Sequence, residues 1–211
     1  MKGWWQMSRV DKRKTEGHGC LGFTITLTIS LAALFAVLFF TTNLFGGVKK
    51  QVYSVFYPQN YSEQVSRYAA EYHVDEPLVY AVIRTESGFR EDVESYAGAI
   101  GLMQLMPSTF DWLQEKLEGD VIYSSDSLKT AEINIRYGTY FLALLLDRYD
   151  GNLSTACAAY NAGTTTVDGW LGDSRYSKDG KTLSSIPYAE TQQYVQRIEK
   201  AQEIYRELYY E

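Results

Sequence analysis

Residues 21–40 read LGFTITLTISLAALFAVLFF, an apolar stretch without a single charge. As a helix rising 1.5 Å per residue it reaches about 30 Å, the thickness of a bilayer's hydrocarbon core. Thr24, Thr26, Thr28 and Ser30 do not spoil such a helix, because their hydroxyls bond back to its backbone. A cleaved signal peptide has a shorter apolar region, about 7–15 residues, with a small-x-small site behind it. Here the run passes into TTNLFGGV, which has no such site, and Cys20 precedes the run where a lipoprotein cysteine would follow it. The expectation is an uncleaved transmembrane anchor over 21–45, after a flank at 1–20.

Charge sets the orientation. Residues 1–19 carry five Lys/Arg against Asp11 and Glu16, and residues 20–48 carry no charge. The positive-inside rule keeps that flank in the cytoplasm. Lys49 and Lys50 weaken the asymmetry without reversing it. The chain then reads as a single-pass protein of the cell membrane with its main domain outside the cytoplasm. Residues 49–211 hold 15 Lys/Arg and 24 Asp/Glu, so this domain is acidic and has no basic block. That excludes a nucleic-acid partner. Two cysteines, Cys20 and Cys157, form no disulfide framework. Cys157, within STACAAY, reads as a small buried core residue.

Residues 46–58 read as a linker, loosened by Gly46 and Gly47 and stopped by Pro58. The domain then fills 59–211 and its pattern is helical. Val65, Tyr68, Ala69 and Tyr72 share one face of a helix over 62–72, with Ser62 as its cap. Pro77 opens a helix over 76–86. Further helices are expected over 108–117, 130–149, 152–161 and 189–209. The helix over 130–149 is apolar around most of its circumference and is expected to be central. Tyr194, Ile198, Ala201, Tyr205 and Leu208 recur at helical spacing and read as core packing. Residues 172–187 read as a long polar surface loop, and no alternating strand run occurs.

Several chemistries drop out. The histidines are His18, in the flank, and His73, so neither a His-Cys-Asp metal cluster nor a Ser-His-Asp triad is supported. No glycine-rich phosphate loop is present. Carboxylate chemistry remains, and Glu86 leads it. It ends the second helix, where the partial negative charge of the helix terminus disfavours a carboxylate. Val82, Ile83 and Phe89 are placed to desolvate it. Both effects raise its pKa toward that of a general acid at neutral pH. An exposed glutamate beside Arg84 and Arg90 is the alternative that spacing alone leaves open.

Four motifs follow in order: TESGF at 85–89, SYAGAIGLMQLMP at 95–107, AYNAG at 159–163 and IPYAETQQYV at 186–195. Together with INIRYGTYFLALL at 133–145, they resemble the catalytic domain of Slt-type (family 1) lytic transglycosylases over the whole of 59–211. The resemblance implies a mainly α, lysozyme-like fold related to goose-type lysozyme, with the transmembrane helix in front of it. It implies non-hydrolytic cleavage of the β-1,4 bond between N-acetylmuramic acid and N-acetylglucosamine in peptidoglycan, leaving a 1,6-anhydromuramoyl end. No metal or organic cofactor is implied.

The same resemblance assigns roles residue by residue. Glu86 acts first as acid and then as base. Ser87 hydrogen-bonds the acid or caps the helix end. Gln104 and Met106 line the cleft. Tyr160 orients Glu86 or the substrate's N-acetyl group, and Asn161 binds sugar. Glu190 positions substrate, with Tyr188 lining the groove beside it. Gly98 and Gly101 read as turn residues. Thr164 and Thr165 depart from the family's usual Pro-Gly after AYNAG, a matter of the local turn. Two rivals stay open. A hydrolytic muramidase on the same fold would need Glu190 or Asp92 to place a water. A wall-binding or assembly module would need no acid at all.

Overall fold

The computed structural model describes residues 51–211, together with positions 31, 32, 34, 35, 37 and 39. The flank at 1–20 and, apart from those six positions, the expected anchor at 21–45 lie outside the described residues. Among the described residues no helix is long and apolar enough to cross a membrane.

Tyr53–Glu211 form one compact unit. Its helices are α1 (Ser62–Tyr72), α2 (Glu76–Glu86), α3 (Pro107–Glu118), α4 (Ala131–Arg148), α5 (Leu153–Ala162), α6 (Thr164–Leu171) and α7 (Ala189–Tyr209), with a 3-10 turn at Ser125–Lys129. The described residues contain no strand beyond isolated bridges. Ser62 is the first residue of α1 and not its cap, which falls on Tyr61. The sequence reading also missed α6. Gly163, at φ 84° and ψ 147°, ends α5 and starts α6 in one residue.

α2 and α7 form the backbone of the domain. Leu78 through Ile83 are all buried, so α2 is enclosed on every side, and α7 is a principal neighbour. The two helices run antiparallel. Asp75, at the start of α2, accepts from Arg206 and Gln202 near the end of α7, each at 2.7 Å. Midway, the rings of Tyr80 and Tyr205 stack 5.2 Å apart. This register brings the other end of α2, which carries Glu86, to the start of α7.

α4 divides the interior. One apolar cluster joins α1, α2, α5, α6 and α7 to one side of α4. A smaller one gathers Ile100, Leu105, Phe110, Leu113, Leu128 and Tyr137 on the other. Phe141 and Tyr160 pack against both. Cys157 is buried in the larger cluster, and burial pushes its thiol up to about 12, so it stays protonated and inert.

The segment leading into α1 is held more firmly than a free tether. Arg84 donates to the Phe56 carbonyl at 2.9 Å and its guanidinium lies 4.0 Å over the Tyr57 ring. Tyr209 donates to the Tyr57 carbonyl at 2.8 Å and Tyr205 to the Pro58 carbonyl at 3.0 Å. The loop at 172–187 is likewise built. The Asp179 carboxylate accepts from the Lys181 and Thr182 amides and from the Thr182 hydroxyl, each at 2.8 Å, and holds the turn that pairs Ser177 with Leu183.

Candidate active site

α2 ends at Glu86 because Ser87 closes it. Both the Ser87 amide, at 3.0 Å, and its hydroxyl, at 3.1 Å, reach the Ile83 carbonyl. Ser87 is thus a helix-end cap, and its hydroxyl is not spent on Glu86. Gly88 and Phe89 then take positive φ, 59° and 66°, and turn the chain away.

The Glu86 carboxyl is half-buried. Burial disfavours its charge and pushes it up to about 7, against the opposing pull of a hydrogen bond from Tyr194 and the positive charge of Arg197. No carboxylate is among the groups that shift it. Tyr194 donates to Glu86 Oε1 at 2.7 Å. The stripe through Tyr194 is buried, as its period indicates, yet this residue is not packing alone. Its ring belongs to the core and its hydroxyl to the site.

Tyr160 lies close enough to Glu86 for the carboxylate to raise its phenol, though burial is the larger cause. Its hydroxyl does not orient the acid. It donates to the Met103 carbonyl at 2.8 Å, tying α5 to the loop that carries Gln104 and Met106. The buried Asn134 of α4 fixes the same loop. Its side chain accepts from the Met103 amide at 2.7 Å and donates to the Ile100 and Leu128 carbonyls at 2.9 and 2.8 Å. Gly101 has φ 81°, and a Cβ there would collide with Asn134 Nδ2 and the Leu128 carbonyl.

Gln104 donates to the Gly101 and Val93 carbonyls at 2.9 and 3.2 Å. Both neighbours are acceptors, so its NH2 is committed to the loop and only its carbonyl remains for a ligand. Met106 is exposed and caps α3. Asn161 accepts from the Thr191 hydroxyl at 2.8 Å, which joins the end of α5 to the first turn of α7. Among the described residues its amide NH2 has no partner. Glu190 is exposed in that same turn. Tyr188 is exposed at the α7 cap, edge-on to the Trp170 ring at 4.9 Å.

The arrangement supplies one carboxyl pushed up to about 7, one buried donor that favours its charged form, and polar groups in the loop before α3, at the start of α7 and at the end of α5. Such a carboxyl can give a proton and take one back.

Residues 63–183 match the family described as "Transglycosylase SLT domain". The chain is 33% identical over 143 residues to the soluble lytic murein transglycosylase of Escherichia coli K12, covering 67% of this chain and 22% of that one. It is 30% identical over 166 residues to the membrane-bound lytic murein transglycosylase C of Yersinia pestis, covering 69% of this chain and 46% of that one. The chain therefore spans from about a fifth to under half of the length of these curated relatives. Among solved structures, an inactive mutant of lytic transglycosylase Slt from Pseudomonas aeruginosa superposes with a TM-score of 0.64 at 33% identity, covering 73% of this chain and 25% of that one. The 70-kDa soluble lytic transglycosylase in complex with bulgecin A gives 0.64 at 29% identity, covering 72% and 25%. The mainly helical fold is thus shared with the Slt transglycosylases.

Proposed function

Because this chain belongs to the Transglycosylase SLT domain family, we propose that its domain is a peptidoglycan lytic transglycosylase. It cleaves the β-1,4 bond from N-acetylmuramic acid to N-acetylglucosamine and closes a 1,6-anhydro ring on the muramoyl end. The observation that carries this reading is the single half-buried Glu86 carboxyl, raised to about 7 and gripped by Tyr194.

Protonated Glu86 gives its proton to the glycosidic oxygen as the C1–O4 bond breaks. The resulting carboxylate, favoured by the Tyr194 hydrogen bond and the charge of Arg197, takes the proton from the C6 hydroxyl. O6 then bonds to C1, and no water is added. One group serves both steps because the first leaves it in the form the second needs. A hydrolytic glycosidase generally sets a second carboxylate about 5–9.5 Å from the first. The lytic course asks for no second carboxylate, and Tyr194 and Arg197 are the groups that favour the charged form of Glu86. Asn161, through its unengaged NH2, Met106, Tyr188 and Glu190 hold the glycan. Gln104 offers its carbonyl.

Residues 21–45 anchor the domain, with 1–20 in the cytoplasm and 59–211 outside. The uncharged run supports this, as does the membrane-bound relative from Yersinia. The deciding experiment is mass analysis of the ends cut from purified peptidoglycan. Anhydromuramoyl ends, one water lighter than reducing ends, are expected. Reducing ends would mean a muramidase, and no cleavage would leave a binding module.

A further inference from the structure

Two surface features near the start of the domain lie outside the residues proposed to hold the glycan, although one of them shares Arg197 with the surroundings of Glu86. The first is apolar. Val55 and Phe56 are 74% and 64% exposed, side by side in the helical turn before Pro58. They do not sit on a loose tail. The hydrogen bonds from Arg84, Tyr209 and Tyr205 to the carbonyls of residues 56–58 fix them to α2 and α7.

The second is a hollow of about 470 Å³ directly beside them, lined by Tyr57, Arg84, Gln193, Gln196, Arg197 and Lys200. Three of its six lining residues are cations and none is an acid. In a domain, residues 59–211, with 13 basic and 24 acidic residues this is a local inversion of charge. Among the described residues neither Arg197 nor Lys200 is in an ion pair. The features adjoin, since Arg84 both lines the hollow and binds the Phe56 carbonyl.

Chain order says what covers this face. Five residues, 46–50, separate the expected anchor from residue 51, and extended they reach at most about 18 Å. A hollow of cations flanked by exposed apolar side chains, so close in sequence to a membrane span, is complementary to an anionic bilayer. Phosphates there meet the cations, and the layer beneath takes apolar side chains.

We propose that this face docks on the membrane, with the phosphate of an anionic phospholipid in the Arg84–Arg197–Lys200 hollow and Val55 and Phe56 in the interfacial layer. Docking converts a tether into a fixed orientation. It stands on the anchoring part of the reading above, and its test substitutes Lys200 and not Arg197, whose charge also acts on Glu86.

The test uses the full chain in nanodiscs, either of phosphatidylcholine alone or with phosphatidylglycerol. A bimane probe is placed by Val55→Cys in a Cys20→Ser background, since the Cys157 thiol is buried, and is quenched by headgroup-nitroxide lipid. Quenching is expected to be at least about twofold greater with phosphatidylglycerol, because each cation near an anionic leaflet is worth roughly fivefold in partition. Lys200→Glu, at an exposed position, should return it to the phosphatidylcholine level, and Lys200→Arg should retain it. Equal quenching in both lipids overturns the proposal, as does a gain that survives Lys200→Glu. If soluble glycerol phosphate produces the same gain in phosphatidylcholine discs, the hollow is a free-anion site and membrane docking is wrong. A chain that does not co-elute with discs removes the anchor and docking together, leaving the catalytic reading to its own product analysis.

Discussion

The Tyr194 hydroxyl donates to Glu86 Oε1 at 2.7 Å across 108 residues of sequence. The contact exists because α2 and α7 run antiparallel, pinned at the far end by Asp75 and Arg206 at 2.7 Å. A phenol can only donate to the charged carboxylate, so this bond favours the base form of Glu86. Tyr194→Phe should raise the Glu86 pKa by roughly one unit, the worth of a hydrogen bond to a charged group. The alkaline limb of the pH–rate profile should move up with it, while kcat falls about tenfold through poorer positioning. An unmoved limb would show that the bond has no electrostatic role.

The wild-type profile follows from the same group. The first step needs the proton on Glu86, so kcat/KM should decline above a pH of about 7. Glu86→Gln keeps the shape and removes the proton, and should lower the rate by about 10²–10⁴-fold or more. Near-wild-type cleavage by this variant would remove Glu86 from the mechanism.

The raised pKa also fixes a stability trend. Glu86 titrates near its ordinary 4.5 when unfolded and near 7 when folded. Between those values the native state holds a proton that the unfolded state releases, so stability falls as pH rises through that window. Glu86→Gln titrates nowhere there. It should match wild type at pH 4 and exceed it at pH 8 by on the order of 1–3 kcal/mol, read from urea unfolding at both pH values. A constant difference at the two pH values would mean the carboxyl is not raised.

Tyr160 makes the contrasting case. Its hydroxyl serves the Met103 carbonyl, so Tyr160→Phe leaves a buried acceptor without its donor and loosens the loop that carries Met106. About 1–3 kcal/mol of stability should go, and KM should rise. The alkaline limb should stay where it is, unlike that of Tyr194→Phe. A shifted limb would restore Tyr160 as a direct partner of the acid.

These residues show where reading the sequence succeeds and where it stops. The bounds of α2 and α7 match their apolar periods, because Pro77 and the stripe from Tyr194 to Leu208 are local signals. Glu86 was legible for the same reason, as a carboxyl at an apolar helix end. Tyr194 was not, because a period reports which face is buried and says nothing of where a hydroxyl at its edge will land. That depends on the register of α7 against α2. Which half of the Gln104 amide faces a ligand is equally illegible, because it depends on how the loop closes: the NH2 goes to two carbonyls and only the carbonyl remains. α6 was hidden by Gly163, which reads as a stop and is also a start, although Val167, Trp170 and Leu171 carry a helical spacing.

Gly98 and Gly101 separate conformational strain from collision in one loop. Both have positive φ, 88° and 81°. An added Cβ at Gly98 meets nothing within 4 Å, whereas at Gly101 it runs into Asn134 and the Leu128 carbonyl. Gly98→Ala should therefore lose only the left-handed penalty, about 1–2 kcal/mol. Gly101→Ala must in addition displace a buried amide that makes three hydrogen bonds. With a buried donor or acceptor worth about 1–3 kcal/mol when unsatisfied, its total should exceed that of Gly98→Ala by at least that much. Activity should follow the same order, because the Asn134 bonds hold the loop that presents Gln104 and Met106. Urea unfolding of the two variants, each assayed on peptidoglycan under conditions where it remains folded, makes the comparison. Equal losses in both would mean that the Asn134 bonds do not hold this loop.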